Sequence, residues 1–329
     1  MSPDTLSRVV SLEAGVAMVV TDLHGDWDAY AHYRDRFLTL QARGRADYLI
    51  FTGDLIHSDG PPRDDRSLDI VLDVLRLKET LDERLIYLLG NHELPHLYGT
   101  TLQKGDHLYT PSFEAALGEH RAAVTSLFDG LPFYVRTRAG VSICHAGAAA
   151  EMSDTDAAAR VFDYSHRRVR DEIAASLPIG QRPALQRAIG KLNDESYAEM
   201  ARKYLAVSGP DDPRYDDLLI GLFAGQHADF ELLWAAFFTR NERQHGERDY
   251  AVFLDALLGH LSAGFHEQTT MVTGHLSCRG GYALVGGRQL RLASGSHAHP
   301  CSAGRYLLFD VEKPLDRVEL SNGLRSVFE

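Results

Sequence analysis

The sequence predicts an α/β fold in which short buried strands deliver chemically active residues to one edge of a sheet. Two patterns carry this expectation. Short apolar runs of four or five residues recur, and each leads into a motif of Gly, Asp or His, as buried strands bounded by turn residues do. Between the first of these runs lie stretches with apolar residues at helical spacing. Such alternation of strand, loop and helix collects functional groups at the carboxyl ends of the strands.

In chain order, Val16-Ala17-Met18-Val19-Val20 precedes Asp22-Leu23-His24-Gly25, and a helix is predicted from Asp28 to Ala42. Tyr48-Leu49-Ile50-Phe51 precedes Gly53-Asp54. The stretch Ser67 to Leu81 carries Leu68, Val71, Leu72, Leu75 and Leu77 at helical spacing. Leu85-Ile86-Tyr87-Leu88-Leu89 then leads to Gly90-Asn91-His92-Glu93, and Val141-Ser142-Ile143-Cys144 to His145-Ala146-Gly147. From about Glu151 to His266 the chain becomes Ala-rich and charged, with few strand signals. Leu185, Ile189, Leu192 and Met200 fall at helical spacing within Arg182 to Leu205, and Gly209-Pro210-Asp211-Asp212-Pro213 breaks the region. Strand-like runs resume at Thr270 to Thr273, Tyr282 to Val285, Gln289 to Ala293 and Tyr306 to Val311. The expected organisation is a single domain over 1–329, with a core at 16–150 and 267–329 and a helical insertion or cap at 151–266.

With 329 residues, 44% of them hydrophobic, the chain can bury a large core. Its formal charge of -12 argues against a general nucleic-acid surface, which rests on Lys and Arg neutralising phosphates. Residues Met1 to Ala17 carry Asp4, Arg8 and Glu13 and lack a signal-peptide pattern, and no apolar run approaches the roughly 20 residues of a membrane span. Cys144, Cys278 and Cys301 are an odd, widely spaced set that fits reduced thiols. A soluble, cytoplasmic protein without membrane partners is expected; its oligomeric state is not written in the sequence.

The motif residues form an inventory of hard oxygen and imidazole ligands with one carboxylate to share, which a two-metal centre requires. Asp22, His24 and Asp54 would hold one divalent ion. Asp54, Asn91, His145 and His275 would hold the other, with Asp54 bridging. Manganese leads as the expected metal, with iron or zinc also suited to this mixture. Singly, Asp22 reads as a turn residue, His24 as a helix-start residue and Asn91 as a left-handed turn former. Their joint order, each behind a strand, favours function.

Order and spacing resemble the phosphoprotein-phosphatase branch of the calcineurin-like metallophosphoesterases, well over Met18 to Gly147 and again from Thr273 to Asp310. That family's pattern runs Asp-x-His-Gly, Gly-Asp-x-x-Asp-Arg-Gly, Gly-Asn-His-Glu, His-x-Gly and Gly-His. Here Thr21 stands where Gly is usual before the first element, and Gly90 to Glu93 fits the third without change. Gly274-His275 fits the last; Ser277 occupies a position where many relatives outside this branch place a second metal-binding His. The departure falls at Gly53-Asp54-Leu55-Ile56-His57-Ser58, where His57 and Ser58 replace the Asp-Arg pair that orients the family's catalytic His and grips phosphate. Asp59, Arg63 and Arg66 are substitutes for that clamp.

The resemblance implies a four-layer α-β-β-α metallophosphoesterase sandwich with the metals at its mouth. It also implies hydrolysis of phosphate monoesters on phosphoserine or phosphothreonine by in-line attack of a hydroxide held between the ions, with His92 as general acid. A second phosphate-binding Arg is expected after Leu233-Trp234, with Arg240 preferred to Arg248. A nucleotide hydrolase similar to the symmetrical diadenosine-tetraphosphate hydrolases is the alternative substrate class, loosely supported by Ser67 to Leu72. A catalytically silent, metal-binding interaction protein is the alternative of another kind. His57 reads as readily as an exposed loop residue as a metal or phosphate contact, and His96, His297 and His299 read as ordinary loop residues. Glu93 reads as a structural carboxylate fixing His92.

Overall fold

Side chains of the strand Val16–Val20 alternate between two apolar environments, and that alternation explains the layering. Ala17 and Val19 enter one cluster with Ile50, Ile86, Val141, Ile143, Val272, Leu290 and Leu307, which belong to strands of two facing sheets. Met18 and Val20 enter another with Tyr33, Phe37, Val71 and Val74, from the helices Trp27–Ala42 and Ser67–Leu81. Strands covered on both faces must be apolar throughout, and each fully buried Val, Leu or Ile contributes roughly 1.5–3 kcal/mol.

The computed structural model describes residues 7–61, 64–238 and 241–327. One sheet has the order Leu324–Ser326, Arg305–Asp310, Val16–Val20, Tyr48–Phe51, Leu85–Tyr87, its last three strands parallel. The facing sheet has the order Val9–Leu12, Tyr134–Thr137, Val141–Cys144, Thr270–Thr273, Gln289–Leu292, Tyr282–Val285. Within it Val141–Cys144, Thr270–Thr273 and Gln289–Leu292 are parallel neighbours. Its outer residues Tyr134, Cys144 and Met271 join the cluster that holds Leu254, Leu257 and Leu261 of the helix Gly246–Ser262. Helices, sheet, sheet and helices make the four layers expected.

Thr21, at the position where the resembled pattern has Gly, ties the two sheets together. Its N–H donates to Ser294 Oγ at 3.0 Å and its hydroxyl to the Leu292 carbonyl at 3.1 Å.

Between Thr155 and Ser262 the described residues form helices and no strand. The predicted periodicity from Arg182 to Leu205 is, however, two helices, Arg182–Asn193 and Tyr197–Leu205. Asp194 ends the first in a left-handed conformation, and Ser196 with Glu199 closes a capping box on the second. Leu192, expected to pack, is 84% exposed. The edge strand Val9–Leu12, ahead of the expected core boundary at 16, was not legible. Among the described residues no helix is long and apolar enough to cross a membrane.

Candidate metal centre

Five parallel strands from two sheets end at one place, and the turns that follow them carry the motifs. Backbone φ is positive at Asp22 (47°), His24 (47°), Asp54 (53°), His57 (70°) and His275 (67°). Side-chain-bearing residues adopt this conformation at a cost of about 1–2 kcal/mol each, so its concentration here marks a constrained site. The turns hold one another: His24 N–H donates to the Asp54 carbonyl at 3.0 Å, Gly25 N–H to that of Leu55 at 2.8 Å, and Gly274 N–H to that of His145 at 2.9 Å. At Gly53, where φ is +102°, an added Cβ would lie 2.6 Å from Gly90 Cα, so only glycine permits this approach.

Glu93 fastens the same turns. Its carboxylate accepts from the N–H groups of Asp54, Leu55 and Gly90, each at 3.0 Å, and from Tyr87 Oη at 2.7 Å. It is structural, as expected, but what it fixes is the Asp54 and Gly90 turns.

The side chains converge on Asp54. Its Oδ2 lies 3.9 Å from His24 Nε2, 3.9 Å from His92 Nε2 and 3.4 Å from His145 Nε2. Its Oδ1 accepts the His92 N–H at 3.0 Å. His145 Nε2 is also 2.8 Å from Asn91 Oδ1 and 3.2 Å from His275 Nδ1, while its Nδ1 donates to the Thr52 carbonyl at 2.9 Å. Asp22 receives the His275 N–H at 2.9 Å. All six residues expected as ligands are thus brought together.

A seventh joins them. His297, expected to be an ordinary loop residue, places Nδ1 3.4 Å from Asp22 Oδ1 and its ring 4.7 Å from that of His24. Three sets of three potential ligand atoms result: Asp22, His24 and His297; His24, Asp54 and His92; Asp54, His145 and His275. His299, expected to be a loop residue, is exposed and lies in the two-residue strand Ala298–His299.

This donor set fits divalent cations. The buried nitrogens His24 Nε2 and His275 Nε2 have no hydrogen-bond partner, an arrangement that costs free energy unless something binds them. Burial, with Glu93 and Asp22 nearby, pushes the Asp54 carboxyl well above the usual range. Burial and His297 push His24 down to about 4, and burial and His145 push His275 well below its ordinary value. A bound divalent cation would offset the burial of the Asp54 carboxylate.

His57 departs most from expectation, since it is 1% exposed. Its Nδ1 lies 3.1 Å from His92 Nδ1 and its Nε2 2.9 Å from His96 Nε2. His96 Nδ1 in turn lies 2.6 Å from Glu114 Oε1. Of the expected clamp residues, Asp59 bonds Tyr109 and Lys104, and Arg66 pairs with Asp69 and covers Trp27. Arg63 and Arg240 lie outside the described residues, and Arg248 is exposed.

The sequence profile of the calcineurin-like phosphoesterases matches residues 16–197, more than half of the chain. The protein belongs to this family. It is therefore a phosphoric ester hydrolase of a family that uses divalent metal ions. No curated relative matches the sequence. Among solved structures, this calcineurin-like phosphoesterase is similar to a protein serine/threonine phosphatase from Saccharomyces cerevisiae with similarity to human phosphatase PP5. Identity is 13%, with 92% of this chain and 76% of that chain covered and a TM-score of 0.47. It is also similar to a cold-active protein-tyrosine phosphatase of a psychrophilic Shewanella species, at 14% identity over 97% of this chain and 83% of that one, with a TM-score of 0.43. These two likenesses do not decide the substrate.

Proposed function

We propose that this phosphoesterase removes phosphate from phosphoserine and phosphothreonine side chains, using two divalent ions, manganese first and iron or zinc as alternatives. Asp22, His24 and Asp54, joined by His297, would hold one ion; Asp54, Asn91, His145 and His275 would hold the other. The observation that carries this reading is the gathering of His24 Nε2, His92 Nε2 and His145 Nε2 at 3.9, 3.9 and 3.4 Å from the buried Asp54 carboxylate, with His24 Nε2 left without a hydrogen-bond partner. Bound there, the ions would supply Lewis acidity to the phosphoryl oxygens and activate water for in-line displacement.

The chain's own residues do the rest. Glu93 holds Asp54 and Gly90 in register. His92, with Nε2 facing Asp54, donates a proton to the leaving oxygen. Arg240 remains the proposed phosphate ligand on sequence position alone. The buried free thiols of Cys144 and Cys278 support a reducing, cytoplasmic setting.

The test combines metal analysis of the purified protein with a comparison of phosphopeptides and diadenosine tetraphosphate. Two ions per chain and preference for phosphopeptides are expected. A preference for the dinucleotide by orders of magnitude in kcat/KM would replace this substrate class with the nucleotide one. Failure of the fully metallated protein on a broad panel of phosphomonoesters and diesters would leave the silent, metal-binding reading.

A further inference from the structure

Hydrogen bonds through two residues outside every motif join the turns that carry His145 and His275. We infer that Tyr250 and Gln289 are positioning residues for the ion proposed at Asp54, Asn91, His145 and His275, so that the helix Gly246–Ser262 sets the affinity of that site. The inference rests on the two-ion reading.

Strand Gln289–Leu292 lies beside Thr270–Thr273 in the facing sheet. Residues i and i+2 of a strand share a face, and Gln289 and Arg291 both turn toward the helical region. Gln289 Oε1 accepts from Tyr250 Oη, and Arg291 donates through Nη2 to Glu242 Oε1 at 2.9 Å. Gln289 Nε2 donates in turn to Thr273 Oγ1 at 2.8 Å, and Thr273 stands two residues before His275. On the other side the Ala148 N–H donates to Tyr250 Oη at 3.3 Å, and Ala148 stands three residues after His145. The path from one imidazole turn to the other is therefore Thr273, Gln289, Tyr250, Ala148, with no member more than 2% exposed. Buried hydrogen-bond networks of this kind rigidify what they join.

The fit where the helix meets the turn is close. Gly147 has φ +124°, and a Cβ there would lie 2.5 Å from Tyr250 Oη, so the glycine of His-x-Gly leaves room for the phenol beside Ala148. Burial pushes the Tyr250 phenol above its ordinary value, which keeps its proton on the oxygen and available to Gln289. The turn that carries Asp22 and His24 depends on a different join, Thr21 with Ser294 and Leu292. The two joins meet where Asp22 accepts the His275 N–H.

Manganese titration of the full chain, with free Mn(II) followed by electron paramagnetic resonance, reads both affinities without turnover. Tyr250→Phe should weaken one ion about tenfold, the lower end of the range for groups that support a ligand set, and change the other by less than about twofold, as independent sites do. Thr273→Val, which keeps the shape and loses the hydroxyl, should repeat this result, and Thr273→Ser should retain both affinities. In His275→Ala, which removes a ligand of the ion concerned, adding Tyr250→Phe should leave the remaining affinity within about twofold.

Equal weakening of both ions marks a general loss of packing and overturns the proposal. So do unchanged affinities in Tyr250→Phe or Thr273→Val, a loss in Thr273→Ser as large as in Thr273→Val, or the disappearance of both ions in His275→Ala. Thr273→Val decides the matter even where Tyr250→Phe does not fold. A wild-type chain that takes up one ion or none overturns the two-ion reading and this inference with it; two wild-type ions that Tyr250→Phe leaves unchanged overturn this inference alone.

Discussion

Asp54 concentrates the demands of the centre in one buried carboxylate, within 4 Å of three imidazole nitrogens. Asp54→Asn should therefore lower metal content from two ions per chain toward one and abolish most activity; retained double occupancy with full activity would refute the bridging role. His92→Asn should lower kcat by about 10² to 10⁴ for poor leaving groups, and less for activated aryl phosphates. If steady-state kinetics showed equal losses for both, the acid role would belong elsewhere. His297→Ala should weaken one metal site by about 10- to 100-fold, the scale on which groups supporting a ligand set act. A metal titration showing two unchanged affinities would return His297 to the loop residue the sequence suggested. The six motif residues that converge here were legible because each follows a strand within a few residues, Asp22 and His24 behind the same one. His297, His57, His96 and Glu114 were not, because the fold pairs residues far apart in sequence: His57 meets His96 39 positions away, and His96 meets Glu114 18 positions away. No local spacing records such a meeting.

Loops gain their rigidity from other loops at the scale of the elements. Glu93 serves four donors drawn from two segments, 54–55 and 87–90, so Glu93→Ala would leave buried N–H groups and the Tyr87 hydroxyl unpaired. A loss of more than about 3 kcal/mol is expected, measured as a lower urea midpoint together with weaker metal binding. An unchanged midpoint would show that water satisfies these donors. The major strands and the first two long helices were readable because buried strands are uniformly apolar and amphipathic helices are periodic. Edge strand Val9–Leu12 was not, since it is half-buried and its pairing partner Tyr134–Thr137 lies in a distant segment. The split of Arg182 to Leu205 had a local signal, the Ser196 and Glu199 capping pair, masked by apolar spacing that continued through Leu192.

For the molecule as a whole, burial makes the metal-free protein sensitive to acid. His24, His57, His92, His145, His166 and His275 are all held below their ordinary value of 6.5, first by burial. The folded state resists protons that the unfolded chain accepts, so stability should fall as pH drops below about 6.5 and continue falling toward the depressed folded values. Asp54, pushed well above the carboxylate range by burial, and His297, held above its ordinary value despite burial through its pairing with Asp22, act in the opposite direction, and the six imidazoles outnumber them. Glu114, held below 4.5 by His96 and Arg121 against the effect of burial, adds a further loss in stronger acid. Urea midpoints of the metal-stripped protein should be lower at pH 5 than at pH 7.5, and manganese should raise the midpoint at pH 7.5. Equal midpoints across that range would contradict the burial argument. The layered architecture was visible in advance because both sheets announce themselves by composition, whereas the connection between the sheets through Thr21 and Ser294 spans 273 positions and could only be seen folded.

The ligand-bearing turns span Asp22 to His275, and the last of them follows Thr270–Thr273, which is inserted between Val141–Cys144 and Gln289–Leu292. A chain still emerging from the ribosome can form the Asp22, Asp54 and Asn91 turns long before that interior strand exists. The cradle closes only when the final third has been made and threaded into place. A truncation before Thr270 would therefore remove an interior strand of the facing sheet together with His275 and His297, so sheet continuity and part of the candidate centre are lost by the same cut.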